Sequence, residues 1–457
     1  MESESTVPPT RPNSGHSAAV NPGASLSDIM SLLTDHGFEF VESLLDGSLS
    51  GSLDFANRTT NFLRRPVKEK ERATLQEKLK AWIAVLSASD SLDEMLTIAD
   101  QKAAQSEESL RKNLLTTLEA TRELETNYRA LSLFYTSTET ARIPNISVVN
   151  AGLDQVCDLE NAHFTEHIAD ELKQNYDRLD LRDNYSLLVI PGFMRSNVVL
   201  EKWAKIAHAN KVMLFTDFAD LDGPDDVLEL LSAVNMTGAE LFRSNVIMTC
   251  NWLVGRSKVA EVGEMDHLYI PPSAALAGKT YYTPMPQVSA GKRYGGISEV
   301  LGVRFRLWKN EVSIMERLNL VPMIEEHGQV MAYGSKTLFN GPNIGLQTFT
   351  VVRVFDYIVK VLFDFLNRRA FENWNTSIEG DLRRQIAVFL DSVKGSDKLI
   401  EQFRIVRLEQ DRKQKDRVYL DIRLTPYFPA KSFIVRLDGQ RDGETESPDW
   451  ASSYELA

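Results

Sequence analysis

Cysteine is almost absent. Cys157 and Cys250 are the only two in 457 residues and lie far apart, so no disulfide framework is expected, and a reducing, cytoplasmic setting follows. Long apolar runs are missing too: none approaches the roughly 18 residues that a membrane-spanning helix needs. The amino terminus, Met1-Glu2-Ser3-Glu4-Ser5, has neither the basic head nor the apolar stretch of a secretory signal. Direct membrane insertion is therefore not expected. Basic residues are outnumbered, 51 Lys and Arg against 64 Asp and Glu. The resulting net charge of −13 argues against a general nucleic-acid binder. No repeat of solenoid length is present.

The rest is ordinary. Hydrophobic residues make up 43% and charged residues 25%, typical of globular protein, and the length suffices for two or three cores. The charge is uneven. Residues 341–440 hold 17 Lys and Arg against 13 Asp and Glu, a net of +4, which leaves −17 on the remainder. Two readings stand: solvated faces, or a basic inner domain facing an acidic partner.

In chain order, residues 1–24 are rich in Ser, Pro, Asn and Gly and are expected to be disordered. Residues 25–140 read as a helical arm. Ser27 suits an N-cap ahead of Ile29, Leu32, Leu33, Phe38, Val41 and Leu44, the run Asp46–Ser52 breaks the pattern, and helices over about 68–88 and 91–134 follow. Such an arm packs on a partner or on its own domain, and the pattern permits both. Residues 141–345 read as an α/β middle domain with an irregular β insert. Short apolar strands at Leu187–Ile190, Val212–Phe215 and Val246–Thr249 alternate with helices at Val199–Ala209 and Pro224–Val234, which argues a partly parallel sheet. Gly and Pro turns from Pro271 to about Asn340 enclose short strands at Val303–Leu307 and Gln329–Ala332.

Residues 346–440 form the most distinctive unit. Phe349, Val352, Phe355, Val359, Leu362, Phe363 and Leu366 recur at three- and four-residue steps and share a helix face, with Arg353, Lys360, Arg368 and Arg369 off it. Leu382, Ile386, Phe389 and Leu390 mark a second helix, ended by Gly395. Val418, Leu420, Ile422 and Leu424 alternate with polar residues as in a half-buried strand. Phe403–Leu408 is its expected partner and 409–417 the loop between them. Beyond Pro426 and Pro429 comes a short last strand, Phe433–Leu437, then a flexible acidic tail, 441–457. The fold class is mixed α+β and α/β: a helical arm, a middle α/β domain, and a C-terminal α+β domain ending in short strands.

Gly345-Leu-Gln-Thr-Phe-Thr-Val-Val-Arg353, the helix running into Phe371-Glu372-Asn373-Trp374, the helix through Phe389-Leu390 and the closing strands resemble the C-terminal domain of contractile sheath proteins. Ile270-Pro-Pro-Ser-Ala-Ala-Leu-Ala-Gly278 is similar to a Pro-Pro-Ser…Ala-Gly turn of the same proteins. Phage sheaths usually read Phe-Glu-Pro-Asn where this chain has Phe371-Glu-Asn-Trp. The resemblance is therefore nearer to the large sheath subunit of type VI secretion systems. It implies a structural subunit rather than an enzyme, with no cofactor, polymerising helically around an inner tube protein and contracting to drive it. It also implies pairing with a smaller sheath subunit, contact with further copies of itself, and recycling by an AAA+ unfoldase. In the assembly so implied, Phe433, Val435 and Leu437, with Val418, Leu420 and Ile422, are the expected strand-exchange residues. The local positive charge nominates Arg353, Arg368, Arg369, Arg383 and Arg384 for contact with the tube or with neighbours.

Four other stretches carry residues suited to chemistry. His163-Phe-Thr-Glu166-His167 fits H-x-x-E-H, in which two histidines one helical turn apart share Zn²⁺ beside a general base, giving a zinc-dependent hydrolase as the alternative. No third ligand is evident. Ala277-Gly-Lys-Thr280 mimics the end of a phosphate loop, but Ser273 stands where the first glycine is required. Gly291–Gly296 is a basic glycine loop. Asp217 falls at a strand end where α/β folds bind ligands, near Asp220, Asp222, Asp225 and Asp226, which together would suit a hard cation.

Overall fold

The computed structural model describes residues 69–456 except 88, 90, 140–142, 144, 179–180, 182–183, 432 and 440–449. The expected disordered residues 1–24 and the helix capped by Ser27 lie outside the described residues. Contacts divide the chain into two units, Met1–Thr116 and Thr117–Ala457. In the first, α1 (Glu69–Leu86) leads to α2 (Leu92–Thr138), a 47-residue helix that continues into the second. Both lie close to the ranges expected from periodicity.

In the second unit, α3 (His163–Tyr176) precedes β1 (Leu187–Val189), α4 (Asn197–Ala209), β2 (Met213–Asp217), α5 (Pro224–Val234) and β3 (Val246–Cys250). The three strands run parallel in that order. Ser196 caps α4 by accepting from the Val198 amide, and Pro224 opens α5, where its missing N–H costs nothing. There follow β4 (Leu253–Arg256), β5 (Leu268–Ile270), α6 (Ser273–Tyr282), β6 (Gly296–Ile297), β7 (Gly302–Val303), α7 (Lys309–Arg317), β8 (Val321–Glu326) and β9 (Gln329–Ala332). The main sheet has the order β1-β2-β3-β8-β9-β6, with β8 parallel to β3 and the last pairings antiparallel. A small sheet, β5-β4-β7, stands beside it.

Both faces of the main sheet are covered. Leu214, Val246, Met248 and Cys250 point into one core with Trp203 of α4, while Met213, Phe215 and Ile247 point into the other with Ala274–Ala277 of α6 and Ala130 and Leu133 of α2. The period of two along β2 and β3 sorts these side chains between the layers. Two expectations change here. The strand expected at Val303–Leu307 shrinks to Gly302–Val303, because the chain turns away to β-bridge only with β4. The Pro-Pro-Ser segment is a helix start and not a turn: both prolines precede α6, where no helical hydrogen bond is lost.

The C-terminal part comprises α8 (Phe349–Arg368), α9 (Thr376–Ser392), and the antiparallel pairs β10 (Ile400–Gln410) with β11 (Val418–Pro426) and β12 (Phe433–Gly439) with β13 (Trp450–Leu456). Asn375 caps α9 by accepting from the Ile378 amide. The buried face of α8 is rotated from the expected one. Val354 and Ile358 join Ile386 and Leu390 of α9 in a third core, Phe349 and Val352 enter the middle-domain core, and Phe355 and Phe363 are exposed. α9 ends at Val393, and Gly395, at φ +126°, makes the turn into β10. The tail expected to be flexible contains β13, whose register with β12 runs from Phe433 opposite Leu456 to Gly439 opposite Trp450.

Candidate assembly surfaces

The strand end that favours ligands in α/β folds is sealed. Asp217 is fully buried at the end of β2. It accepts from the Gly192 amide at 2.8 Å, the Ser273 amide at 2.7 Å, the Ser273 hydroxyl at 2.5 Å and the Thr249 hydroxyl. Burial outweighs these donors and raises its pKa to about 6. The carboxylate ties the β1 loop, β3 and the first turn of α6 together, each of its oxygens accepting two hydrogen bonds. Ser273, where a phosphate loop would need glycine, is thus a cap partner. Asp220 and Asp222 are held by Arg304 at 2.7 and 2.6 Å, and Arg304 stacks on Tyr269 at 4.1 Å, so a cation of the protein fills the acidic loop. Cys250 is buried and its thiol pushed up by burial.

The zinc pattern has no support in the geometry. His163, Glu166 and His167 are exposed on the first turns of α3. No group of three His, Cys, Asp or Glu able to hold a metal occurs among the described residues. Gly291–Tyr294 is a single helical turn with Lys292 and Arg293 facing outward.

The part of α2 within the second unit is anchored by ions and by close approach. Arg256 of β4 bonds both carboxylate oxygens of Glu264, at 2.8 and 3.0 Å, and also Glu125 of α2 at 3.1 Å. Arg122 reaches Glu264 at 3.0 Å and the His267 carbonyl. Arg256 holds the Glu264 carboxyl down to about 2. Nearby, a Cβ on Gly278 of α6 would stand 2.3 Å from the Phe134 carbonyl oxygen, so glycine is what lets α6 lie against α2. The opposite face of this segment carries Leu124, Tyr128, Leu131 and Tyr135, all exposed. They recur at steps of four, three and four, the spacing of a helix–helix seam. Among the residues of α2 in the first unit, Leu92, Leu96, Leu110 and Leu114 are likewise exposed.

α8 is tied to the middle domain by polar contacts that periodicity does not reveal. Lys360 donates to the Tyr185 carbonyl at 2.7 Å, and burial lowers its pKa to about 8. Asp356 accepts from Asn245 at 2.7 Å, and Asn245 meets His208 at 2.7 Å. The five nominated arginines do not behave alike. Arg368 pairs with Asp364 at 2.7 Å, Arg369 with Glu372 at 2.9 Å and Asp381 at 3.0 Å, Arg383 with Glu379 at 3.4 Å, and Arg384 with Asp381 at 2.6 Å. Arg353 has no such partner, and its Nη1 is sealed from solvent without a hydrogen bond.

At the C-terminus, Leu420, Ile422 and Leu424 pack toward the α8–α9 core, whereas Val418 is exposed. β10 and β11 form one two-stranded sheet and β12 and β13 another. Apart from a bridge between Ile400, at the start of β10, and Lys394, each strand therefore has one main-chain edge unpaired among the described residues.

Comparison with known proteins fits this architecture. Residues 27–114 match the TssC/VipB-like N-terminal region, 116–340 the type VI secretion system TssC/VipB central domain, and 348–456 the TssC/VipB-like C-terminal domain. The chain belongs to the TssC/VipB family. It is a structural sheath subunit of a contractile injection system. Among solved structures, the helical sheath of the anti-feeding prophage in the contracted state is similar at 16% identity, over 69% of this chain and 82% of that one, with a TM-score of 0.47. The baseplate of the same prophage gives 15% identity, 68% and 80% coverage and a TM-score of 0.48. The sheath tail protein of Desulfitobacterium hafniense gives 13% identity, 64% and 59% coverage and a TM-score of 0.38. No curated protein sequence matched the chain.

Proposed function

We propose that this TssC/VipB-family chain is the large subunit of a cytoplasmic type VI secretion sheath, built around an inner tube protein and completed by strands shared between subunits. The role is structural, and no cofactor is implied for the stroke. Residues 25–140 form the arm that pairs with a smaller sheath subunit, 141–345 the middle domain and 346–440 the inner domain. The observation that carries the reading is the pair of separate two-stranded sheets at the C-terminus, each with open main-chain edges among the described residues. Adding a neighbour's strand satisfies backbone donors and acceptors, and alternate side chains fix register. Phe433, Val435 and Leu437 on β12, and Val418, Leu420 and Ile422 on β11, supply that register.

Each join links different surfaces of successive copies, so growth is an open helix. The mesh holds while subunits slide, and contraction releases energy stored in a metastable packing. The exposed seam Leu124, Tyr128, Leu131 and Tyr135 supports helical pairing with the smaller subunit. The amino-terminal region is the proposed handle for an AAA+ unfoldase. Arg353, Arg368, Arg369, Arg383 and Arg384 are proposed contacts to the tube or to neighbours; the four that are paired internally serve by exchanging partners. Deleting residues 432–457 tests strand sharing: the truncated chain should fold and bind its companion yet yield no long polymers on sedimentation, and long polymers would count against it.

A further inference from the structure

Arg353 stands in the second turn of α8. Its Nη1 is sealed from solvent and unpaired, while the residue as a whole is half-buried, so the guanidinium has one closed edge and one open edge. Thr350, three residues earlier on the same helix face, also has a buried hydroxyl without a partner. No ion pair or aromatic ring engages Arg353 among the described residues, although burial lowers its pKa to about 10 and so leaves it cationic at neutral pH. A partly dehydrated cation with nothing in place of the lost water is unfavourable in the free subunit. The same dehydration strengthens its attraction to an anion that arrives at the open edge.

The chain itself supplies such anions in excess, with 64 Asp and Glu against 51 Lys and Arg. Asp225, Asp226 and Glu229 on α5, for example, are exposed and form no ion pair among the described residues. One copy thus carries both halves of the contact, as head-to-tail assembly requires. We infer that Arg353 is a socket for an Asp or Glu carboxylate of the next copy of this chain in the polymer. The inference rests on the sheath reading above and names the partner of one of its contacts.

The test compares full-length wild type, R353M and R353K, each produced with the same companion subunit. Thermal unfolding is followed on unassembled material, and polymer is measured by pelleting. R353M keeps the volume and removes the charge, so it should melt at or above the wild-type temperature while pelleted polymer falls at least several-fold. R353K keeps the charge without the forked geometry and should fall between. Polymer at the wild-type level in R353M overturns the inference. So does a lower melting temperature, which would mark a counter-ion inside the subunit, or loss of the companion subunit, which would place Arg353 against the other chain. Failure of the wild type to polymerise would instead remove the sheath reading, so the two failures are distinguishable.

Discussion

Replacing Asp217 by Asn tests the keystone of the middle domain through its pH dependence. The carboxylate accepts from Gly192, Thr249 and twice from Ser273, yet burial prevails and raises its pKa from 3.8 to about 6. The folded chain therefore holds this proton more tightly than the unfolded chain does. Its contribution to stability is full below the unfolded value and is lost as pH rises through about 6. At about 1.4 kcal/mol per pH unit, the shift is worth about 3 kcal/mol. The D217N chain does not titrate at this position, so subtracting its behaviour removes the contribution of every other carboxyl group. Urea unfolding of unassembled full-length protein should give a wild-type advantage over D217N that is larger at pH 4 than at pH 7.5 by about 2.4 kcal/mol, because at pH 4 the unfolded carboxyl is already partly ionised. At either pH the substitution also leaves two of the four donors facing an amide N–H₂, each costing about 1–3 kcal/mol. A difference that stays flat, or that grows toward pH 7.5, would refute the reasoning and mean that the donors outweigh burial.

Two further substitutions probe the seat of α2. Helix propensity alone would make Gly278→Ala stabilising by about 1 kcal/mol. The close approach of the Phe134 carbonyl reverses the sign, and chemical denaturation should show a loss of about 1–3 kcal/mol. Glu264→Gln removes the charge that Arg256 and Arg122 share and should cost about 2 kcal/mol at pH 7. Because the Glu264 pKa is lowered from 4.5 to about 2, this stabilisation is present above 4.5 and is lost as pH falls toward 2. The gap between wild type and E264Q should narrow over that window.

Periodicity made several elements legible. Four-residue apolar runs bounded by Pro, Gly or polar residues gave β1, β2 and β3, since strands buried on both faces need no alternation. The alternation from Val418 to Leu424 gave β11. The small sheet was hidden because β7 has two residues and β5 three, too few for any period to register. β13 was masked by the acidic run before it, although Trp450, Ser452, Tyr454 and Leu456 fall on one side of a period of two. The rotated face of α8 follows from packing on two cores at once, which no single helical stripe expresses. In the sequence, Asp217 stands at a strand end, where α/β folds bind ligands. Its partners lie 25, 32 and 56 residues away and turn an apparent ligand position into an internal brace. Likewise, local charge nominated five arginines alike, and the fold separated Arg353 from the four with nearby carboxylates.

The claim that subunits complete one another's C-terminal sheets is tested most directly by electron cryomicroscopy of the assembled polymer, at a resolution that traces each strand to its chain. The account predicts a neighbour's strand hydrogen-bonded along a free edge of β11 or β12. Intact polymer in which β10–β11 and β12–β13 remain paired within one chain, with no strand from another, would contradict it.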